Sequence, residues 1–240
     1  MNAPEVKVGP SAYDRWRASD LGALTEEIEH RLLWETIGDP RRRLVLDVGC
    51  GDGLLARQAS RMGARVVGLD PDQAMLAAAV AHGASGLDGP WWVRGRAQHL
   101  PIKDACCDLV VAVTVLCFLS ASEARKATAE MARVLRPGGR LVLGELSPYS
   151  IWAASRRVRG WLGSRLWRRA RFHGPAELKG LAQEAGLKAE SLQGAVYYPP
   201  WWWAARRLAT WERALSAVTT LGAAFLILAA SKPRRPAVIG

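Results

Sequence analysis

Cysteine is scarce in this chain of 240 residues: four occur, at positions 50, 106, 107 and 117, without paired C-x-x-C spacing. That excludes a sequence-evident zinc or iron–sulfur framework, and no metal ligands are assigned. Cys106 and Cys107 are adjacent and badly placed to bridge each other, while Cys107 and Cys117 flank an apolar strand in which cysteine serves as a small hydrophobe. The amino terminus lacks a secretory pattern, so the expectation is reduced thiols in a cytoplasmic protein. Lysine is scarce as well: 6 lysines stand beside 27 arginines and 22 acids, for a net charge of +11. The excess admits nucleic acid or an anionic membrane as a partner, but arginine, alanine and glycine rising together also follow from coding bias, so charge alone selects neither. Long hydrophobic runs are absent with one exception, the 18 uncharged residues from Ala214 to Ser231. Ser216, Thr219, Thr220 and Gly222 interrupt that run, which therefore reads as a helix end, a turn and a short strand over 224–230 rather than a membrane span.

With half of its residues hydrophobic, a chain of this length can bury one good core, and a single domain over 1–240 is expected. Its most informative stretch is Leu44-Val45-Leu46-Asp47-Val48-Gly49-Cys50-Gly51-Asp52-Gly53, followed by Gly68-Leu69-Asp70-Pro71. This predicts an apolar strand, a glycine turn, a helix, and a second strand ending in a carboxylate, the order of a nucleotide-binding βαβ unit. A dinucleotide fingerprint needs G-x-G-x-x-G, but Leu54 stands where the third glycine would fall. Asp47 and Asp52 add negative charge where a pyrophosphate would sit, which favours a ligand carrying positive charge. Asp70 is placed to accept hydrogen bonds from the hydroxyls of a ribose. The alternation continues: strand 44–48, helix 53–62, strand 65–69, helix 71–82, strands 92–95 and 108–113, helix 121–135, strand 140–145. Such βα repetition argues for a parallel sheet with helices on both faces and a crevice at the carboxyl ends of its strands.

Taken with Gly95-Arg96-Ala97-Gln98-His99-Leu100-Pro101, Cys107-Asp108-Leu109-Val110 and Arg133-Val134-Leu135-Arg136-Pro137-Gly138-Gly139-Arg140-Leu141, the chain resembles the class I S-adenosylmethionine-dependent methyltransferases. The likeness is to the small-molecule branch that includes quinone-ring methyltransferases, and it covers about residues 40–146. It implies an α/β fold, a three-layer Rossmann-like parallel sheet closed by a C-terminal antiparallel hairpin, and S-adenosyl-L-methionine as cofactor. It also implies that Asp47, Gly49 and Gly51, with Cys50 and Gly53 in the same turn, hold the methionyl end. Asp70 would take the ribose and Ala97 and Gln98 the adenine edge, with Pro71, Met75 and Leu100 packing on the base and Thr114 on the same rim. Arg96 stands where many relatives carry an aspartate, so a side-chain contact to the adenine amino group is not carried over. Residues 11–38, beginning Tyr13-Asp14-Arg15-Trp16, are similar to a helical lid over the donor, Tyr13 included; a helix covering a sheet edge is the alternative.

The second half of the chain carries the acceptor question. From Leu146 through Ala176 there is no acidic residue, yet there are seven arginines and three tryptophans. Segments 147–174 and 199–218 therefore read as Trp/Arg-rich insertions forming an acceptor lid, with contact to an anionic membrane as an accompaniment. Trp201, Trp202 and Trp203 are consecutive and cannot all face one side of an element. The expected acceptor is a small, apolar or aromatic, lipid-like molecule. Methyl transfer needs no nucleophilic side chain, and His173 and Tyr197 are the candidates for a general base. Nucleic acid is the weaker class, since Thr114-Val115-Leu116-Cys117 follows the fourth strand where a base-modifying enzyme would often carry an N-P-P-Y-type tetrapeptide. A non-catalytic, membrane-associated protein retaining the fold is the competing reading.

Overall fold

The computed structural model describes residues 10–83 and 89–234, with side chains from Asp14 onward. Ten helices and seven strands are described: α1 Pro10–Arg17, α2 Asp20–Ile37, β1 Leu44–Val48, α3 Leu54–Arg61, β2 Arg65–Asp70, α4 Gln73–Ala81, β3 Trp91–Arg94, β4 Cys107–Val113, α5 Ala121–Val134, β5 Leu135–Leu146, α6 Ile151–Trp161, α7 Arg165–Arg169, α8 Pro175–Glu184, β6 Lys188–Ala195, α9 Trp202–Leu208, α10 Glu212–Val218 and β7 Phe225–Ser231. The strands form one sheet in the order β3-β2-β1-β4-β5-β7-β6. β1 to β5 are parallel, and β7 runs antiparallel to both β5 and β6. The α/β expectation and the closing antiparallel hairpin both hold.

Apolar layers cover the sheet on both sides because its central strands alternate between them. Val45 and Val111 join α2 and α3 on one face, with Ile28, Leu33, Leu55 and Ala59; Leu46 and Val110 join α5 and α8 on the other, with Met131, Leu178 and Leu181. Each fully buried Leu or Ile contributes about 1.5–3 kcal/mol to this core. The uncharged run that resembled a membrane span divides as its polar residues predict, into the end of α10, a turn, and β7, whose Phe225–Ala230 are all buried. Among the described residues no helix is long and apolar enough to cross a membrane.

Three boundaries differ from the sequence expectation, each for a local reason. The helix expected from Tyr13 to Ile37 is broken at Ser19, whose hydroxyl accepts the Gly22 amide at 3.1 Å and starts α2 afresh. Arg136-Pro137-Gly138-Gly139 is a wide bulge within β5: Leu135 pairs with Cys107 but Arg140 with Leu109, and Gly138 takes φ +79°. The helix expected between the tryptophan triplet and Ala217 is two short helices, α9 and α10, joined by a tight 3₁₀ turn over Ala209–Trp211. The best-specified start is that of α5, where Ser120 Oγ accepts the Glu123 amide and Glu123 Oε2 accepts the Ser120 amide. Such reciprocal caps are worth about 1 kcal/mol.

Candidate active site

The carboxyl ends of β1 and β2 meet at the glycine turn, and each of its glycines answers a different demand. Gly49 and Cys50 donate their amides to Leu69 O at 2.7 and 3.0 Å, stitching the turn to β2. Gly49, Gly51 and Gly53 all have left-handed φ values, +71°, +54° and +78°, which side-chain-bearing residues adopt at a cost. A Cβ on Gly49 would come within 2.5 Å of Val115 Cγ2, and one on Gly53 within 2.3 Å of the Trp92 ring. A Cβ on Gly51 would meet nothing within 4 Å, so this glycine faces open space and leaves backbone accessible to a ligand. Trp92 was not foreseen as part of the site; it pairs in register with Gly68, whose missing side chain leaves room for the indole beneath the turn.

Carboxylates dominate the electrostatics. Asp47 is buried and its Oδ2 has no hydrogen-bond partner. Burial first, and then the nearby Asp70, push its pKa up to about 7, opposed by a backbone hydrogen bond from Ala56. The same burial, with Asp47 and Asp70, pushes the Cys50 thiol far up and keeps it protonated. Asp70 is buried too; Oδ2 accepts the Gly51 amide at 3.0 Å and Oδ1 the Asp72 amide at 2.8 Å, which fixes the carboxylate. Asp52 accepts Arg17 Nη1 at 2.5 Å, so the end of α1 is tied to the turn. Arg17 also donates to Glu26 of α2 at 2.8 Å. A buried carboxylate with one unpartnered oxygen beside a second carboxylate suits a ligand that brings positive charge and hydroxyl donors.

The rest of the rim assembles around this pair. Gly95 donates to Asp70 O at 3.2 Å, bringing the segment after β3 alongside Asp70. In that segment Ala97 and Gln98 are buried, and the Gln98 amide reaches Glu123 Oε1 at 3.4 Å. Pro71 and Met75 are half-buried at the start of α4 and His99 is exposed. Thr114 stands at the end of β4 with φ +52°, its amide on Gly144 O at 2.7 Å and its hydroxyl on Val113 O. An L-residue held in that region stores strain, which the surrounding contacts must hold. Those contacts centre on Glu145, fully buried, whose carboxylate accepts the amides of Val115, Leu116 and Cys117 at 3.0, 2.6 and 3.1 Å. In the sequence Glu145 is only the last residue of the expected strand 140–145.

The two general-base candidates, His173 and Tyr197, lie in different surroundings. His173 is fully buried; Glu177 Oε1 lies 3.1 Å from Nδ1, an ion-pair distance, but neither ring nitrogen has an aligned hydrogen-bond partner. Burial raises the Glu145 pKa, opposed by the neighbouring His173 and then by the three backbone amides. Tyr197 donates its hydroxyl to Thr219 O, and burial, then Glu212, push its pKa up to about 12. The side chain fastens the turn before β7. Tyr13 has its backbone in α1, and its side chain lies outside the described residues.

The side chains of the Trp/Arg segments divide between buried and exposed positions. Trp152 is buried, edge-on to Trp16 with ring centres 5.8 Å apart, and its Nε1 donates to Tyr198 O at 2.8 Å. The Arg156 guanidinium lies 5.3 Å from the Trp152 ring centre and 5.0 Å from that of Trp167. Nearby Glu29 has its pKa pushed up to about 7 by burial, against the pull of Arg156. Buried Glu212 accepts the amides of Val196 and Tyr197 at 2.9 and 2.7 Å, holding Val196 at φ +63°. Trp161, Trp201, Trp202, Trp203 and Trp211 are exposed.

The methyltransferase-domain family pattern matches residues 46–143, which run from β1 through β5. Ubiquinone biosynthesis O-methyltransferase from Methylobacterium nodulans is 34% identical over 176 residues, 67% of this chain and 68% of that protein. Among solved structures, an S-adenosylmethionine-dependent methyltransferase from Thermotoga maritima superposes with a TM-score of 0.69 at 21% identity, over 92% of this chain and 95% of that one. Magnesium protoporphyrin IX methyltransferase from Synechocystis PCC 6803, solved with bound S-adenosylhomocysteine, gives 0.66 at 19% identity over 93% and 95%. The orphaned Asp47 oxygen, the open backbone at Gly51 and the fixed Asp70 carboxylate fit the cationic, ribose-bearing methyl donor of such enzymes. By sequence, fold and the fit of its donor crevice, this chain belongs to the class I S-adenosylmethionine-dependent methyltransferases.

Proposed function

We propose that this methyltransferase acts on a small apolar or aromatic acceptor of quinone-precursor type, by in-line displacement at the donor sulfonium. The observation that carries the reading is the pairing of an electronegative donor side, built on Asp47 and Asp70, with a rim beyond Thr114 where the carboxylates are already committed. Glu145 is taken up by three backbone amides and Glu212 by two, so neither offers a charged contact to an acceptor. The quinone class draws support from the Methylobacterium relative, whose name assigns it to ubiquinone biosynthesis.

Asp47 and the Gly49–Gly51 backbone would hold the methionyl end of the donor, Asp70 its ribose hydroxyls, and Ala97 and Gln98 the adenine edge, with Pro71 and Met75 packing on the base. Bound there, S-adenosylmethionine supplies an electrophilic methyl group on a positively charged sulfur. The chain's own work is alignment and exclusion of water. Asp47 and Asp70 favour the positive charge, the Glu145-held segment Thr114–Cys117 fixes one wall against Gly49, and α1 acts as a lid fastened by Arg17 to Asp52. In this reading neither His173 nor Tyr197 removes the acceptor proton.

Transfer of labelled methyl groups to cell-extract fractions separated into lipid, small polar and nucleic-acid pools tests the proposal. Label is expected in the lipid or apolar small-molecule fraction. Label in nucleic acid, or none at all from protein that still binds the donor, would overturn it.

A further inference from the structure

The two Trp/Arg-rich insertions leave the sheet at one place. β5 ends at Leu146 and β7 begins at Phe225, which pair with each other, while Phe225 also pairs with Ala195 at the end of β6. Segments 147–174 and 196–224 therefore rise side by side from the crevice end of three adjacent strands. They are fastened together by the Trp152 indole on Tyr198 O, and Trp152, Trp167 and Ala205 share one apolar layer with α2.

Beyond that layer the two segments expose side chains that interior packing does not use. Trp161 is 84% exposed, Leu162 82%, Trp203 65%, Trp211 62%, Val218 78% and Leu221 74%. Trp201 and Trp203 stack on each other, with planes 6° apart and ring centres separated by 6.1 Å. Soluble monomers seldom expose so many large apolar groups in two adjoining segments. Arg159, Arg165, Arg206, Arg207 and Arg213 are exposed among them. The acids do not answer this charge: 147–174 has none, and in 196–224 the single one, Glu212, is buried on backbone amides.

We infer that these segments form a docking surface for the interface of an anionic lipid bilayer, a role that goes beyond the transfer reaction. Indole rings settle at the boundary between head groups and acyl chains, leucine and valine enter the apolar side, and arginines meet lipid phosphates. Exposed aliphatic side chains at Leu162, Val218 and Leu221 favour a bilayer over RNA, because a single-strand binding surface stacks bases on aromatic rings and has no use for leucine or valine. Because β5, β6 and β7 deliver both segments at the crevice end of the sheet, the lipid surface would lie on the same side as the crevice mouth.

Flotation of the full-length protein with vesicles of equimolar phosphatidylcholine and phosphatidylglycerol tests the inference, with donor binding by calorimetry as the control for an intact fold. Wild-type protein is expected to float with these vesicles, to float at least tenfold less with pure phosphatidylcholine, and to be released by high salt. The triple variant W161A/W203A/W211A and the charge variant R206E/R207E should each lose at least tenfold in partitioning with donor affinity unchanged. Three outcomes would overturn the inference: absence of flotation by donor-binding protein, flotation of both variants equal to that of the wild type, or displacement from the vesicles by single-stranded RNA at lower concentration than by salt. Burial of Trp203 and Trp211 in a dimer, detected as a doubled mass that the triple variant loses, would overturn it too.

Discussion

At the scale of single residues, the proposed donor site rests on carboxylates whose surroundings bear on their charge. Asp47, with its pKa near 7, should couple donor affinity to pH: protonated it is neutral and offers a sulfonium or ammonium nothing, ionised it offers an unpartnered oxygen. Calorimetric affinity for S-adenosylmethionine should rise roughly tenfold from one pH unit below that midpoint to one above it, and Asp47→Asn should flatten the dependence. Stability of the donor-free protein moves the opposite way. A carboxyl raised above its unfolded value of about 3.9 stabilises the fold fully below that value and loses its contribution as pH rises through about 7. Asp70 works by geometry, since two amides hold its oxygens toward the crevice. Asp70→Asn keeps one acceptor oxygen and loses the charge, so donor affinity should fall about tenfold, the difference between a charged and a neutral hydrogen bond; equal affinity would remove Asp70 from the ribose site.

At the scale of elements, the division between what sequence reveals and what it hides follows the range of the interactions. β1, β2, β4 and α5 were legible because apolar strand runs, glycine turns and helix caps are local signals. Pro175 at the first turn of α8 and Gly186 at φ +78° past its end belong to the same class. The break at Ser19 was hidden because apolar residues on both sides keep a helical spacing, while one hydroxyl decides the boundary. Glu145 and Glu212 were hidden for a different reason: their partners lie 28–30 and 15–16 residues away, and only the assembled sheet brings a carboxylate to a row of amides. Trp92 was hidden because its counterpart is an absence, the missing side chain of Gly68. The Arg17 tie between α1 and the glycine turn yields a prediction at this scale. Arg17→Ala should lower global stability by about 1–3 kcal/mol, since Glu26 is partly exposed but Asp52 is buried and would lose a charged hydrogen bond. It should also speed proteolysis in the connection between α1 and α2 severalfold, and donor should protect the wild-type protein more than the variant.

At the scale of the whole molecule, the two core layers meet across one sheet, so donor binding at its edge should be felt by the entire fold. Saturation at about a hundredfold over the dissociation constant adds roughly 2.7 kcal/mol of stability. For a chain of this size that corresponds to a rise of about 5–10 °C in Tm, measurable by thermal shift with S-adenosylmethionine or S-adenosylhomocysteine. A flat response to both would contradict the donor crevice. The same sheet divides along its strand order: β1, β2 and β4 end at the glycine turn, Asp70 and Thr114, whereas β5, β7 and β6, of which only β7 runs the other way, hold the ends of the Trp/Arg-rich segments at the same rim.

The ends of those segments bear on how such a chain can change its chemistry. The His173 amide meets Leu146 O at 2.9 Å, and the Ala224 amide meets Ala195 O at 3.1 Å, so each insertion departs and returns through neighbouring backbone. A loop whose ends are already joined by the frame can be lengthened, shortened or exchanged for only a small change in closure entropy. Segments 147–172 and 196–223 are thus natural cassettes: transplanted from one relative to another, they should carry acceptor preference with them while the recipient keeps its own donor site.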